Sequence, residues 1–97
     1  MKNVFLLNAF SLQMLEGDAT VKFSEVSRDE VFSVDLVSAI GHEDTARVLN
    51  VECNRINITL KKGDVAYVAQ LQGGRLPEGC TTLPEGFSFK FFKVEVS

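Results

Sequence analysis

The chain holds one histidine, His42, in the segment AIGHEDT. A lone imidazole can protonate a leaving alkoxide without a metal, and it works best when a nearby carboxylate keeps it charged near neutral pH. His42 also follows a glycine at what reads as a helix start, so a capping or surface histidine is the alternative. Glu43 and Asp44 fall in the same first turn. Two carboxylates there oppose the helix-end field that draws anions, so this is not a general phosphate cradle.

A second group of charges lies in RLPEG, where Arg75 and Glu78 sit on one side of a single turn. An arginine fork beside a carboxylate is suited to an anionic ligand, and two solvated turn charges are the alternative. Leu-Pro-Glu-Gly occurs twice, at 76–79 and at 83–86. Proline second and glycine fourth suit a type I turn in both copies, but only the first follows an arginine. Asn8 and Ser11, in LNAFS, read as a strand end and an N-cap, and a strand end beside a helix start is a common place for a small ligand. Arg55 and Gln70 carry no signal of their own. The chain has no Walker loop, GxGxxG, HExxH or GxSxG motif.

Composition narrows the classes. The 97 residues suit one domain, 1–97, with one core; 45% are hydrophobic and 24% charged, as in an ordinary globular protein. A net charge of −3 and a pI near 5.0 argue against long nucleic acid as a partner, while a small anion in a local pocket stays open. Apolar runs fall far short of the about 20 residues needed to cross a bilayer, and MKNVFLL lacks a cleavage site, so no membrane partner is expected and the protein reads as cytoplasmic. Cys53, Cys80 and one histidine provide no zinc-site spacing, and no metal or other cofactor is expected. Arithmetic allows a disulfide between the cysteines; two free thiols are the preferred reading.

The elements that must position these residues follow from periodicity. A short apolar run predicts a buried strand at 3–7, and Ser11 caps a short segment that ends at Gly17. ATVKFSEV reads as a second strand, and SRDE as a capping box leading into VFSVDLVSAI, which fits helix or strand. Ala46, Val48, Leu49 and Cys53 recur at helical spacing through DTARVLNVEC. RINITLK alternates Ile56, Ile58 and Leu60 against polar residues and predicts a strand with one wet face. VAYVAQL reads as a central strand. The adjacent Phe91 and Phe92 in FSFKFFKVEV shift the alternation by one, as at a bulge or in a strand covered on both faces. The sum is an α+β domain whose mixed sheet of about five strands is flanked by two or three short helices.

Taken together, VFLLNAFSLQML, SAIGHEDT and RLPEG resemble the viral ring nuclease family, type III anti-CRISPR enzymes with cellular homologues. The family shares a VFLxNAFSxxML opening, an AIGH segment and an RLxEG loop, and the resemblance runs over most of the chain in matching order. It implies a metal-independent nuclease that cuts cyclic tetra-adenylate to linear di-adenylate and so silences type III CRISPR signalling. It implies His42 as the catalytic general acid, Glu78 as its support, and Arg75, Asn8, Ser11, Arg55 and Gln70 as ligand-binding residues. The chain departs from the pattern at Asp44, where relatives often carry a hydroxyl and where a carboxylate could repel the ligand. Its segment from Ser27 to Ser38 is also shorter than in the archaeal viral proteins.

Elementary chemistry is compatible with that implication. The ribose 2′-OH is a built-in nucleophile, so alignment and one proton donor suffice. A ring of four identical nucleotides contains a two-fold axis, which a homodimer would meet with the same residues twice. The alternatives from other classes are a non-catalytic sponge for a cyclic nucleotide and a structural protein of a virus or mobile element.

Overall fold

The computed structural model describes residues 4–97. Its strands are β1 (Val4–Leu7), β2 (Val21–Val26), β3 (Leu36–Ser38), β4 (Val65–Gln72) and β5 (Ser88–Val96). They form one mixed sheet in the order β2-β5-β4-β1-β3, so the apolar run VAYVAQL lies at its centre. The expected first strand is present from Val4; Asn3 lies outside the described residues. The helices are α1 (Arg28–Val31) and α2 (Glu43–Leu49), with a 3-10 helix at Leu12–Met14. The α+β domain read from the sequence is what the chain forms.

Strand β1 is parallel to β3 and to β4, and β5 is antiparallel to both β4 and β2. Four of the five strands therefore point the same way, and their carboxyl ends share one rim of the sheet. The pairing of β5 with β4 runs without a break from Val65↔Glu95 to Gln72↔Ser88, so the Phe91-Phe92 step is not a bulge. The step exists because the strand is covered on both sides. Phe91 belongs to the core with Leu6, Tyr67 and Ala69, packed on Val31 of α1 and on Ala46 and Leu49 of α2. Phe92 packs on the opposite face, with Leu7, Val68 and Val94.

Two local expectations change. The helix through DTARVLNVEC stops at Leu49, because Asn50 turns left-handed (φ 60°) and a Schellman ending follows, with Val51 N–H on the Ala46 carbonyl and Asn50 N–H on that of Arg47. Cys53 lies beyond the helix, exposed. RINITLK joins no ladder. Its backbone meets the rest of the fold at Leu60, which exchanges hydrogen bonds with Met14 and Glu16, while Ile58 and Leu60 cover the second core face. Its alternation thus marks a lid of extended chain. Among the described residues, no helix is long and apolar enough to cross a membrane, and Cys53 and Cys80 are both free thiols.

Candidate functional site

The residues singled out by their chemistry gather on one rim of the sheet. Asn8 follows β1, His42 follows β3, Gln70 lies near the end of β4, and Arg75 and Glu78 occupy the loop after β4. The carboxyl ends of parallel strands are where α/β sheets commonly bind ligands, since each strand there hands its loop to the same crevice.

His42 is the N-cap of α2. Its Nδ1 accepts the backbone N–H of Thr45 at 3.2 Å and pairs with Thr45 Oγ1 at 2.9 Å. A ring nitrogen that accepts a backbone N–H holds no proton of its own, so the neutral ring carries its proton on Nε2. Thr45 is buried beneath the ring, whereas His42 itself is exposed. The cap thus holds the neutral ring, and to act as an acid His42 would need a second proton on Nδ1, which ends its acceptance of Thr45 N–H; the two readings of His42 compete for that nitrogen.

Arg55 lies against the glycine that precedes His42. Its Nε donates to the Gly41 carbonyl at 2.7 Å, and a Cβ on Gly41 would come within 3.0 Å of Arg55 Cγ. A side chain at this position would make the arginine stem give by a few tenths of an ångström. Asn54 ties the same stretch down: its N–H donates to the Ile40 carbonyl and its side-chain amide to that of Ser38.

The loop after β4 contains one buried residue, Leu76, while Arg75 and Glu78 are exposed. Both Leu-Pro-Glu-Gly copies are turns, but each is shifted one residue from the expected position. Cys80 N–H bonds the Pro77 carbonyl and Phe87 N–H the Pro84 carbonyl, so proline opens the turn and glycine stands third, at φ 78° for Gly79 and 87° for Gly86. A third-place residue with positive φ belongs to a type II turn, where glycine is favoured because it has no Cβ. What separates the copies is an anchor. Gly79 N–H donates to Asp44 Oδ1 at 3.3 Å, and Arg47 Nη1 donates to the Cys80 carbonyl at 3.3 Å.

Asp44 therefore has a structural task. Its Oδ1 takes both Gly79 N–H and, at 3.0 Å, Arg47 Nη1, while the other guanidinium nitrogen of Arg47 reaches Glu43 at 3.2 Å. Sequence spacing could show the Glu43-Arg47 and Asp44-Arg47 pairs. Nothing in the sequence shows the bond across to Gly79.

A cavity of about 450 Å³ opens on the second core face, lined by Asn8, Ala9, Phe10, Phe23, Val68, Gln70 and Phe92. Phe10 and Phe23 meet edge to face, ring centres 5.2 Å apart, and Phe23 is half exposed. Two amides beside an open aromatic surface are what a planar heterocycle with hydrogen-bonding edges would need. Asn8 and Gln70 are thus brought together. Ser11 is not with them: its Oγ caps the 3-10 helix by accepting Gln13 N–H, and it lines a neighbouring groove with Ile56 and Ile58. His42, Arg55, Arg75 and Glu78 stand outside the cavity lining, on the same rim. The role of Phe10 and Phe23 escapes a sequence reading because they look like any other core phenylalanines.

Comparison with known proteins yields a consistent set of relatives. The family described as STIV B116-like matches residues 4–88. Protein ORF116 of Acidianus filamentous virus 1 is 36% identical over 86 residues, covering 77% of this chain and 73% of that protein. The solved structure of B116 of Sulfolobus turreted icosahedral virus superposes with a TM-score of 0.77 at 26% identity, covering 96% of this chain and 98% of that one.

Proposed function

The chain belongs to the STIV B116-like family, and from that premise we propose that it is a ring nuclease, cutting cyclic tetra-adenylate to linear di-adenylate without a metal and thereby switching off type III CRISPR signalling. The supporting observation is the convergence on one rim of His42, Arg55, Arg75, Glu78, Asn8 and Gln70, with His42 exposed and its Nδ1 held by Thr45. In this reading the ligand's own 2′-OH gives its proton to water and attacks the adjacent phosphorus, and the bond to the 5′-oxygen breaks as His42, carrying a second proton on Nδ1 toward Thr45 Oγ1, delivers its Nε2 proton there and is left neutral. The product end is a cyclic 2′,3′-phosphate. Glu78 supports the imidazole, Arg55 and Arg75 hold phosphates, and Asn8 and Gln70 read base edges in the aromatic cavity. Ser11 contributes from the adjoining groove.

The rim is open and its charges are exposed, which is what half of a shared site would look like. A homodimer with the cyclic ligand on its two-fold axis supplies the other half, with two histidines at opposite phosphates. The host cytoplasm, where such a messenger acts, is the proposed location.

One observation favours a second reading. The cavity lining includes Asn8 and Gln70 but none of the residues assigned to chemistry. A protein that held a cyclic nucleotide through that cavity alone would be a sponge. Incubation with cyclic tetra-adenylate in EDTA, followed by denaturation and separation of products, decides between the two: linear di-adenylate supports the nuclease, and intact ring released from the protein supports the sponge. Intact ring that never bound leaves the structural viral protein.

A further inference from the structure

We propose that Asp44 and Arg47 are positioning residues, a clamp on the first turn and a half of α2 that holds the Arg75–Cys80 loop in place and so fixes Glu78 relative to His42. The inference rests on the ring nuclease reading for its catalytic consequence. The clamp itself rests on hydrogen bonds alone.

The geometry is economical. His42 caps α2, and Asp44 stands two residues on; Asp44 Oδ1 accepts the N–H of Gly79, the residue directly after Glu78. A single hydrogen bond thus joins a side chain two residues after the proposed acid to the backbone beside its proposed partner. Arg47 closes a second link from the same helix to the same turn, through the Cys80 carbonyl, and its other donors hold Asp44 and Glu43. The Asp44 side chain is 19% exposed and that of Glu43 71% exposed, so of the two carboxylates only Asp44 is set into the structure.

Such a link matters because the loop has little else to hold it. Leu76 is its one buried side chain, and Gly73 and Gly74, both at positive φ, lead into it. Glycines at positive φ leave the unbound loop many conformations. A catalytic partner on such a loop loses effect when misplaced by about 1 Å, since proton-donor support depends on geometry. The bond to Gly79 is charge-assisted but long at 3.3 Å, so the second link through Arg47 to the Cys80 carbonyl shares the task. The same contact explains why a carboxylate at this position need not repel an anionic ligand: its Oδ1 is occupied by two donors and faces the turn.

The test pairs two readouts on the full chain. Amide exchange and heteronuclear NOE of Gly79 and Cys80 report the clamp by NMR, and single-turnover cleavage of cyclic tetra-adenylate reports its consequence. Asp44→Ala should speed Gly79 exchange roughly tenfold, the scale of one lost hydrogen bond to a charged group, while the Ala46 and Leu49 amides stay protected. It should lower the cleavage rate at saturating ligand by a similar factor with little change in the concentration for half-maximal rate. Asp44→Asn keeps an Oδ1 acceptor and should recover most of both. Unchanged Gly79 exchange in Asp44→Ala, or an Asp44→Asn variant as impaired as Asp44→Ala, overturns the clamp. Faster exchange with unaltered cleavage overturns the positioning role. A wild-type protein that leaves the ring intact sinks the nuclease reading and with it the catalytic consequence, a result visible without any variant, while the exchange data decide the clamp separately.

Discussion

Thr45 donates its backbone N–H to Nδ1 of His42 at 3.2 Å, and its hydroxyl meets the same nitrogen at 2.9 Å. One side chain is thereby both the cap of a helix and a candidate acid, and both roles place a demand on Nδ1, which caps only when unprotonated. They can be separated by mutation.

Asparagine is among the best N-caps and has no proton to give at neutral pH. His42→Asn is therefore expected to keep the melting temperature of the parent within a few degrees and to lower cleavage of cyclic tetra-adenylate by ~10²-fold or more, the usual scale for a positioned proton donor. His42→Ala should lose the cap as well, at about 1 kcal/mol. Thermal melts beside cleavage rates check both. Were His42→Asn as active as the parent, His42 would be a cap and nothing more.

The repeated Leu-Pro-Glu-Gly supplies an internal control. Glu78 and Glu85 occupy the same place in two turns of the same hydrogen-bond pattern, and both are exposed. Only the turn of Glu78 is bonded to α2. Glu78→Gln should slow cleavage by at least tenfold while Glu85→Gln leaves it within twofold, on the premise that a loop charge acts on chemistry only where the loop is positioned. Equal effects in rate assays would assign both glutamates to solvent.

How far the sequence shows this arrangement depends on the range of the interaction. Strands β4 and β5 are legible because their apolar runs report burial directly, whereas the Phe91-Phe92 step fits a bulge or cover on both faces until the unbroken ladder decides for the second. Ser27 caps α1 by accepting Glu30 N–H, as SRDE predicts. RINITLK misleads because alternation reports one buried side and not a hydrogen-bonded neighbour; here the buried side faces the sheet from above. Asn50 ends α2 before Cys53 because a residue able to turn left-handed outweighs continued spacing. On the rim, His42, Glu78 and the amides are visible as residue types, whereas the Asp44-Gly79 bond joins positions 35 apart and leaves no local trace.

Asn8 and Gln70 make a different kind of prediction from the charged residues. Both line the cavity beside Phe10 and Phe23, away from the proposed proton transfer. Gln70→Ala should raise the dissociation constant for cyclic tetra-adenylate by about five- to tenfold, as for one hydrogen bond, and leave the single-turnover rate at saturation unchanged. Phe23→Ala should weaken binding further, by about 1–3 kcal/mol, if a base stacks there. Titration with a non-cleavable ring analogue measures both. Unaltered affinity in the two variants would place the ligand outside this cavity.

The final prediction concerns the two glycines through which β4 hands the chain to the loop. Gly73 and Gly74 both hold positive φ, at 109° and 116°, where an L side chain is strained by about 1–3 kcal/mol. They differ in their surroundings. A Cβ on Gly73 would lie 2.6 Å from the Gly86 carbonyl oxygen and 3.1 Å from Phe87 Cα, both backbone, whereas a Cβ on Gly74 meets nothing within 4 Å. The second Leu-Pro-Glu-Gly turn is thus seated on the first glycine and forms the floor on which the loop leaves the sheet. Gly74→Ala is expected to cost only the backbone strain. Gly73→Ala must also push two segments of main chain apart, so its urea midpoint should fall clearly below that of Gly74→Ala. Its cleavage rate should fall too, because the displaced segment leads straight into Arg75 and Glu78. Equal midpoints for the two variants would mean that the second turn yields freely, and that the seat of the loop lies in Leu76 and the bonds to α2 alone.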